Sequence, residues 1–171
     1  MISNLLRVHD LRVSFATEAG IAHVLDRVDF TIAKGEIVGL VGESGCGKTT
    51  LARTILGVLP ENSARIDSGV VEFEGENLLD KPSEELSDKI RGRAITFIPQ
   101  DPFSSFNPVF TIGTQIMELM KWKSPARDDP YYANSASRFW NGYPSTRYEA
   151  DKGRVLELLR EVQLPEPEAI L

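Results

Sequence analysis

Apolar Leu11, Val13 and Phe15 alternate with polar Arg12 and Ser14, the two-residue period of a strand with one face in a core and the other in water. The polar stretch Thr17 to Gly20 predicts a turn, and Val28, Phe30 and Ile32 alternate on the return, so residues 11–32 are expected to form a hairpin. After Lys34-Gly35 the pattern changes. Ile37-Val38-Gly39-Leu40-Val41 has no polar member, and a strand apolar on both faces belongs in the middle of a mostly parallel sheet covered by helices. Gly42, Gly45 and Gly47 follow, and then Leu51, Ile55, Val58 and Leu59 recur at helical spacing up to Pro60, predicting a helix over 48–59. Further on, 69–73 reads as a short strand, 83–91 as a capped helix and 94–98 as a second apolar strand closed by Pro99. Ile112, Ile116, Leu119 and Met120 carry a helical period, as do residues 154–162 before Pro165. Between these helices, 124–150 holds all four tyrosines with Phe139 and Trp140 among Pro, Ser, Asn and Asp, and its composition predicts a solvated loop.

A chain of 171 residues is one domain or part of a larger one. Lys and Arg number 19 against 25 Asp and Glu, a net charge of −6, with the first 60 residues balanced and the remainder carrying the deficit. No basic stripe is available to grip a phosphodiester backbone, so a nucleic-acid partner is not expected. The single Cys46 excludes an intrachain disulfide framework, and one cysteine with His9 and His23 cannot build a structural zinc site. Both histidines read as surface or turn residues. Arg7 and Asp10 interrupt the N-terminal apolar residues and no run of 18 apolar residues occurs, so the chain is expected to be neither secreted nor membrane-spanning.

The chemistry concentrates where the apolar run meets the helix. Gly42-Glu43-Ser44-Gly45-Cys46-Gly47-Lys48-Thr49 matches G-x-x-x-x-G-K-[ST], in the strand-to-helix context that a phosphate-binding loop requires. With this composition an accidental match arises in roughly one chain in two hundred, before the context is counted. Its glycines let backbone N–H groups point inward at the positive end of a helix dipole. Lys48 would place an ammonium between the β- and γ-phosphates of a nucleotide, and the Thr49 hydroxyl would take one position on Mg²⁺. A glycine-rich turn without a ligand is the plain alternative. Because the same cradle serves kinases, GTPases and motor ATPases, other residues must decide among them. A guanine-specifying Asn-Lys-x-Asp is absent. Gln100 ends the apolar stretch Ile95 to Ile98, where ligands sit in a doubly wound sheet; its carbonyl could ligate Mg²⁺ and its amide orient water, or it could merely cap the strand.

At this point the sequence resembles the ATP-binding subunits of ABC transporters, and within them the oligopeptide and dipeptide importers. The resemblance rests on Leu11-Arg12-Val13-Ser14-Phe15, on the block from Gly35 to Lys48, and on Gln100-Asp101-Pro102-Phe103-Ser104-Ser105-Phe106-Asn107-Pro108, the most specific of the three. It covers residues 5–123 and resumes over 152–168. It implies an α/β P-loop NTPase of ABC type, with an antiparallel β subdomain, an incomplete RecA-like core and the start of a helical subdomain. The implied division is 1–110, with the phosphate loop and Q-loop, and 111–171, a partial helical subdomain with an insertion at 124–150. By position, Phe15 would stack on adenine, Gly42 and Ser44 to Thr50 would hold the phosphates of ATP, and Gln100 would sense Mg²⁺ and the γ-phosphate. Phe103 and Phe106 would meet a membrane subunit; for them, as for Phe15, a place in the core is the alternative. The partners implied are transmembrane permease subunits and a second ATPase subunit, identical or not. The expected location is the inner face of the plasma membrane, peripheral through the permease.

Such ATPases continue with a Leu-Ser-Gly-Gly-Gln type signature, an apolar strand ending in Asp-Glu and a switch histidine. Here Glu85-Leu86-Ser87-Asp88-Lys89 has the Leu-Ser without the glycines, and Leu78-Leu79-Asp80 is too short for the Asp-ending strand. The chain is therefore expected to be the N-terminal portion of the domain and to hydrolyse no ATP by itself. A nucleotide-binding module without turnover and a soluble P-loop kinase are the alternative functions.

Overall fold

The computed structural model describes residues 4–101, 105–133, 137–139 and 142–171. They form two compact units, Met1–Ile95 and Thr96–Leu171.

In the first unit, β1 (Asn4–Thr17) and β2 (Gly20–Ala33) form the expected hairpin, longer than the alternation suggested, with Phe15 opposite Ala22 and Thr17 opposite Gly20. Strand β3 (Ala64–Phe73) pairs antiparallel with the other edge of β1, and the short β4 (Glu76–Asn77) pairs with β3, giving the order β2-β1-β3-β4. Along β1 the buried apolar positions are Leu6 and Val8, then Leu11 and Val13, so the two-residue period slips by one between Val8 and Leu11; Ser14 is buried as well, although the alternation places it in water. A bulge takes up the extra residue at Asp10, which has φ +42°, and a compensating irregularity follows at Arg27, φ +51°. The Asp10 amide donates to Asp29 Oδ1 at 3.1 Å and His9 Nδ1 lies 2.5 Å from the same oxygen. That amide first, and then His9, hold the Asp29 carboxyl below the usual carboxylate range. His9 is therefore a surface residue, as expected, but one paired across the hairpin.

Leu11, Val13 and Val71 are fully buried, and Leu25, Leu51, Leu78, Leu86 and Ile90 complete the core around them. Each such side chain contributes about 1.5–3 kcal/mol relative to exposure. The helix α1 (Lys48–Ile55) lays Leu51 and Thr54 on this core. It stops short of the expected Leu59 because Gly57, at φ +63°, turns the chain out of the helix. The 83–91 helix is a single turn, α2 (Ser83–Glu85), running into a wider π-type turn over Leu86–Ile90, and no side chain caps its start.

The two apolar strands expected at 37–41 and 94–98 do not form. Ile37 is 98% exposed and Val41 94% exposed, and Arg91 to Ile95 makes one isolated bridge. A strand needs neighbours to take its N–H and C=O groups, and among the described residues no strand lies beside either segment. Val38, Gly39 and Leu40 instead line a cavity of about 410 Å³ with Leu6, Val28, Phe30 and Ile32 of the sheet and Lys48, Leu51 and Ile55 of α1.

In the second unit, α3 (Ile112–Lys123) starts where the Thr111 hydroxyl accepts from the Thr114 amide at 3.2 Å. The helix expected over 154–162 begins at Ser145, as α5 (Ser145–Glu161), after the short α4 (Pro130–Ala133) and the pair β5 (Ser137–Phe139) and β6 (Tyr143–Pro144). The segment 124–150 is thus not a solvated loop throughout. Tyr143 is buried, and its hydroxyl donates to Asp151 Oδ2 at 2.7 Å, while Ser124 Oγ donates to Asp151 Oδ1 at 2.5 Å. Arg147 donates to the Lys121 carbonyl at 2.8 Å and lies over the Tyr143 ring. Burial, and after it the Asp151 contact, push the Tyr143 phenol far up.

Candidate functional site

The exposed segment 37–46 winds into the first turn of α1, and two glycines set the winding. Gly45 has φ +83° and Gly47 φ +96°, conformations that strain any residue with a Cβ. Gly47 is also buried against β2, where a Cβ would lie 2.9 Å from Leu25 Cδ2 and 3.1 Å from the Val24 carbonyl oxygen. At Gly42 a Cβ would lie 2.7 Å from Cys46 Sγ, so the two ends of the loop touch. The Cys46 amide, donating to the Glu43 carbonyl at 3.3 Å, closes the ring.

Lys48 reaches back over this ring. Its Nζ donates to the carbonyls of Gly42 at 2.8 Å and Glu43 at 2.6 Å and lies 3.4 Å from Cys46 Sγ. The first helical hydrogen bond runs from Leu51 N–H to Gly47 O at 2.8 Å, so the amides of Lys48, Thr49 and Thr50 precede any carbonyl the helix can offer them. No acidic residue stands in the first turn and no side chain caps it. The positive end of the dipole is left for an external anion, beside a fixed ammonium.

Ser44, Cys46 and Thr49 are exposed around the ring, and Thr50 is half-buried, its carbonyl accepting from Thr54 Oγ1 at 2.8 Å. The donor set suits a chain of phosphates, with the Thr49 hydroxyl free to join a cation that the phosphates carry. Among the described residues no cluster of three or more His, Cys, Asp and Glu side chains could hold a metal ion by itself.

The structure therefore brings Gly42, Ser44, Gly45, Cys46, Gly47, Lys48, Thr49 and Thr50 into one loop and one helical turn. Phe15 lies on β1, half-buried and packed on the core. Gln100 is exposed and belongs to the second unit, in an irregular stretch where the sequence predicted the end of a strand. Phe106 is 44% exposed, and Phe103 lies outside the described residues. Sequence reasoning missed Val24 and Leu25, which pack on Gly47, and Arg91, which holds the far end of α1; no motif marks any of the three.

The family model described as ABC transporter matches residues 25–170. A probable peptide ABC transporter ATP-binding protein of Sinorhizobium fredii is 44% identical over 117 residues, 68% of this chain and 35% of that protein. The oligopeptide transport ATP-binding protein of Salmonella typhimurium is 42% identical over 116 residues, 68% of this chain and 34% of that one. A peptidoglycan transport ATP-binding protein of Agrobacterium fabrum is 37% identical over 164 residues, 96% of this chain and 26% of that protein. The matched stretch spans between 26% and 43% of the length of curated relatives such as these. A phosphate loop built at the head of α1, an antiparallel sheet packed beside it and a family match over most of the sequence agree: the chain belongs to the ABC transporter family, as a P-loop NTPase with part of the core that this fold contains.

Proposed function

We propose that this chain is the nucleotide-binding part of an importer ATPase that couples ATP hydrolysis to the uptake of oligopeptides or dipeptides. The observation that carries the proposal is the Gly42–Thr49 ring, with the Lys48 ammonium seated over it and three helix amides behind it. In this reading Gly42 and Ser44 to Thr50 hold the phosphates of ATP, and Thr49 and Gln100 contact Mg²⁺. Mg²⁺, when bound, would neutralise phosphate charge; the protein's own part is to hold and orient the phosphates. The division of labour is 1–110 for nucleotide and 111–171 for a helical part. Permease subunits and a second ATPase subunit are the partners, with Phe106 a contact to the former. No helix among the described residues is long and apolar enough to cross a membrane, and the proposed location is the inner face of the plasma membrane, through the permease. The peptide substrate follows from the names of the relatives in Sinorhizobium and Salmonella. Introducing Lys48→Ala into the chromosomal copy should bring uptake of labelled di- and oligopeptides to background while amino-acid uptake holds. Peptide uptake at the parental rate would remove this substrate class.

Phe15 is proposed to stack on the base. Aromatic platforms contribute about 1–3 kcal/mol per base, so Phe15→Ala should weaken Mg-ATP binding about fivefold or more while Mg-pyrophosphate binding holds. An equal loss for the two ligands, measured by titration calorimetry, would assign Phe15 to the core it already touches.

A further inference from the structure

The end of α1 remote from the phosphate loop is held by one side chain. Arg91 Nε donates to the Leu56 carbonyl at 2.8 Å and Nη2 to the Gly57 carbonyl at 2.5 Å, while Nη1 lies 3.4 Å from Ser83 Oγ. These are carbonyls at the negative end of the helix, which have no helical partner. Gly57 is shaped for the contact: it has φ +63°, and a Cβ there would lie 3.1 Å from Arg91 Nη2 and 2.9 Å from Leu86 Cδ1. The guanidinium is itself anchored, because Arg91 closes the wide turn by donating its amide to Leu86 O at 2.8 Å, and Leu86 and Ile90 are buried in the core.

We propose that Arg91 is a positioning residue for the phosphate loop, acting through α1. The proposal rests on the phosphate-binding reading of that loop. Helix α1 has eight residues, two turns, and buries only Leu51 and Thr54. A helix so short is marginal in isolation, so its ends decide how firmly its axis is held. Its first turn has no side-chain cap and no acidic residue, which leaves those amides for phosphate; Gly47 packs on β2 at that end, and Arg91 ties the other. Arg91 offsets the dipole at one end and phosphate offsets it at the other. Both act on the same two turns, so whatever keeps the helix formed also favours the anion. Arginine suits the task because its planar fork meets two carbonyls at once, which a lysine ammonium does less well.

The test is the dissociation constant of the chain for Mg-ATP and for Mg-pyrophosphate, measured well below the melting temperature, in wild type, Arg91→Met and Arg91→Lys. Methionine keeps an unbranched apolar stem and removes the donors; lysine keeps the charge and loses the fork. Arg91→Met is expected to weaken both ligands equally, about threefold to tenfold, with Arg91→Lys between it and wild type. A lower melting temperature with unchanged constants would make Arg91 a support of the fold alone and overturn the proposal, as would a loss confined to Mg-ATP. If Arg91→Met does not fold, Arg91→Lys is read by the same two criteria. Wild type binding neither ligand would remove the phosphate-loop reading and this proposal with it, whereas wild-type binding unaltered by both variants removes Arg91 alone.

Discussion

Lys48→Ala is expected to weaken Mg-ATP binding at least tenfold while the chain stays folded. The Lys48 ammonium holds the carbonyls of Gly42 and Glu43 and lies over the ring those residues close. Removing it takes away both bonds that shape the ring and the cation nearest the incoming phosphates. A hydrogen bond to a charged group contributes about 1.5–3 kcal/mol, and about 1.4 kcal/mol is a factor of ten in affinity. The fold should survive because the residue sits at the head of α1, outside the Leu11, Val13 and Val71 core. An unchanged dissociation constant by titration calorimetry would detach this loop from phosphate.

Gly47→Ala is expected to damage the fold and the site together. At φ +96° the new Cβ meets backbone strain of about 1–2 kcal/mol. It also enters space already filled by Leu25 Cδ2 and the Val24 carbonyl, and overpacking of that kind costs about 1–3 kcal/mol. The sum, about 2–5 kcal/mol, should show in urea unfolding, with Mg-ATP binding lost because the ring can no longer close under β2. Gly75→Ala is the control. Gly75 has φ +86° with nothing within 4 Å of an added Cβ, so that variant carries the backbone part alone. Equal destabilisation of the two variants would mean that β2 does not press on Gly47.

The features legible in the sequence were those carried by local chemistry. Alternation at Leu11, Val13 and Phe15 marks a strand wherever its partners lie, and the Gly42–Thr49 spacing marks a ring because a glycine's φ freedom and a lysine's reach are properties of the residues themselves. What was misread depended on neighbours. Ile37 to Val41 reads as a central strand only if other strands flank it, and among the described residues none does. Tyr143 and Arg147 stand in a stretch whose Pro, Ser, Asn and Asp suggest solvent, yet Asp151 on α5 gives Tyr143 a buried acceptor that composition cannot announce. Arg91 looked like the basic last residue of a helix; its partners, Leu56 and Gly57, are more than thirty residues back. Gly57 carries the stop signal of a glycine near the end of a helical pattern, and the helix ends there although the apolar period runs on through Val58 and Leu59.

The bare Ile37–Val41 run also bears on how stability varies with temperature. The heat capacity of unfolding comes from apolar surface wetted only when the chain opens. Ile37 and Val41 are wetted in the folded chain already and add nothing to it. Its stability curve should be shallower than 171 residues would otherwise give, changing less between cold and warm conditions, and its response to urea should be weaker for the same reason.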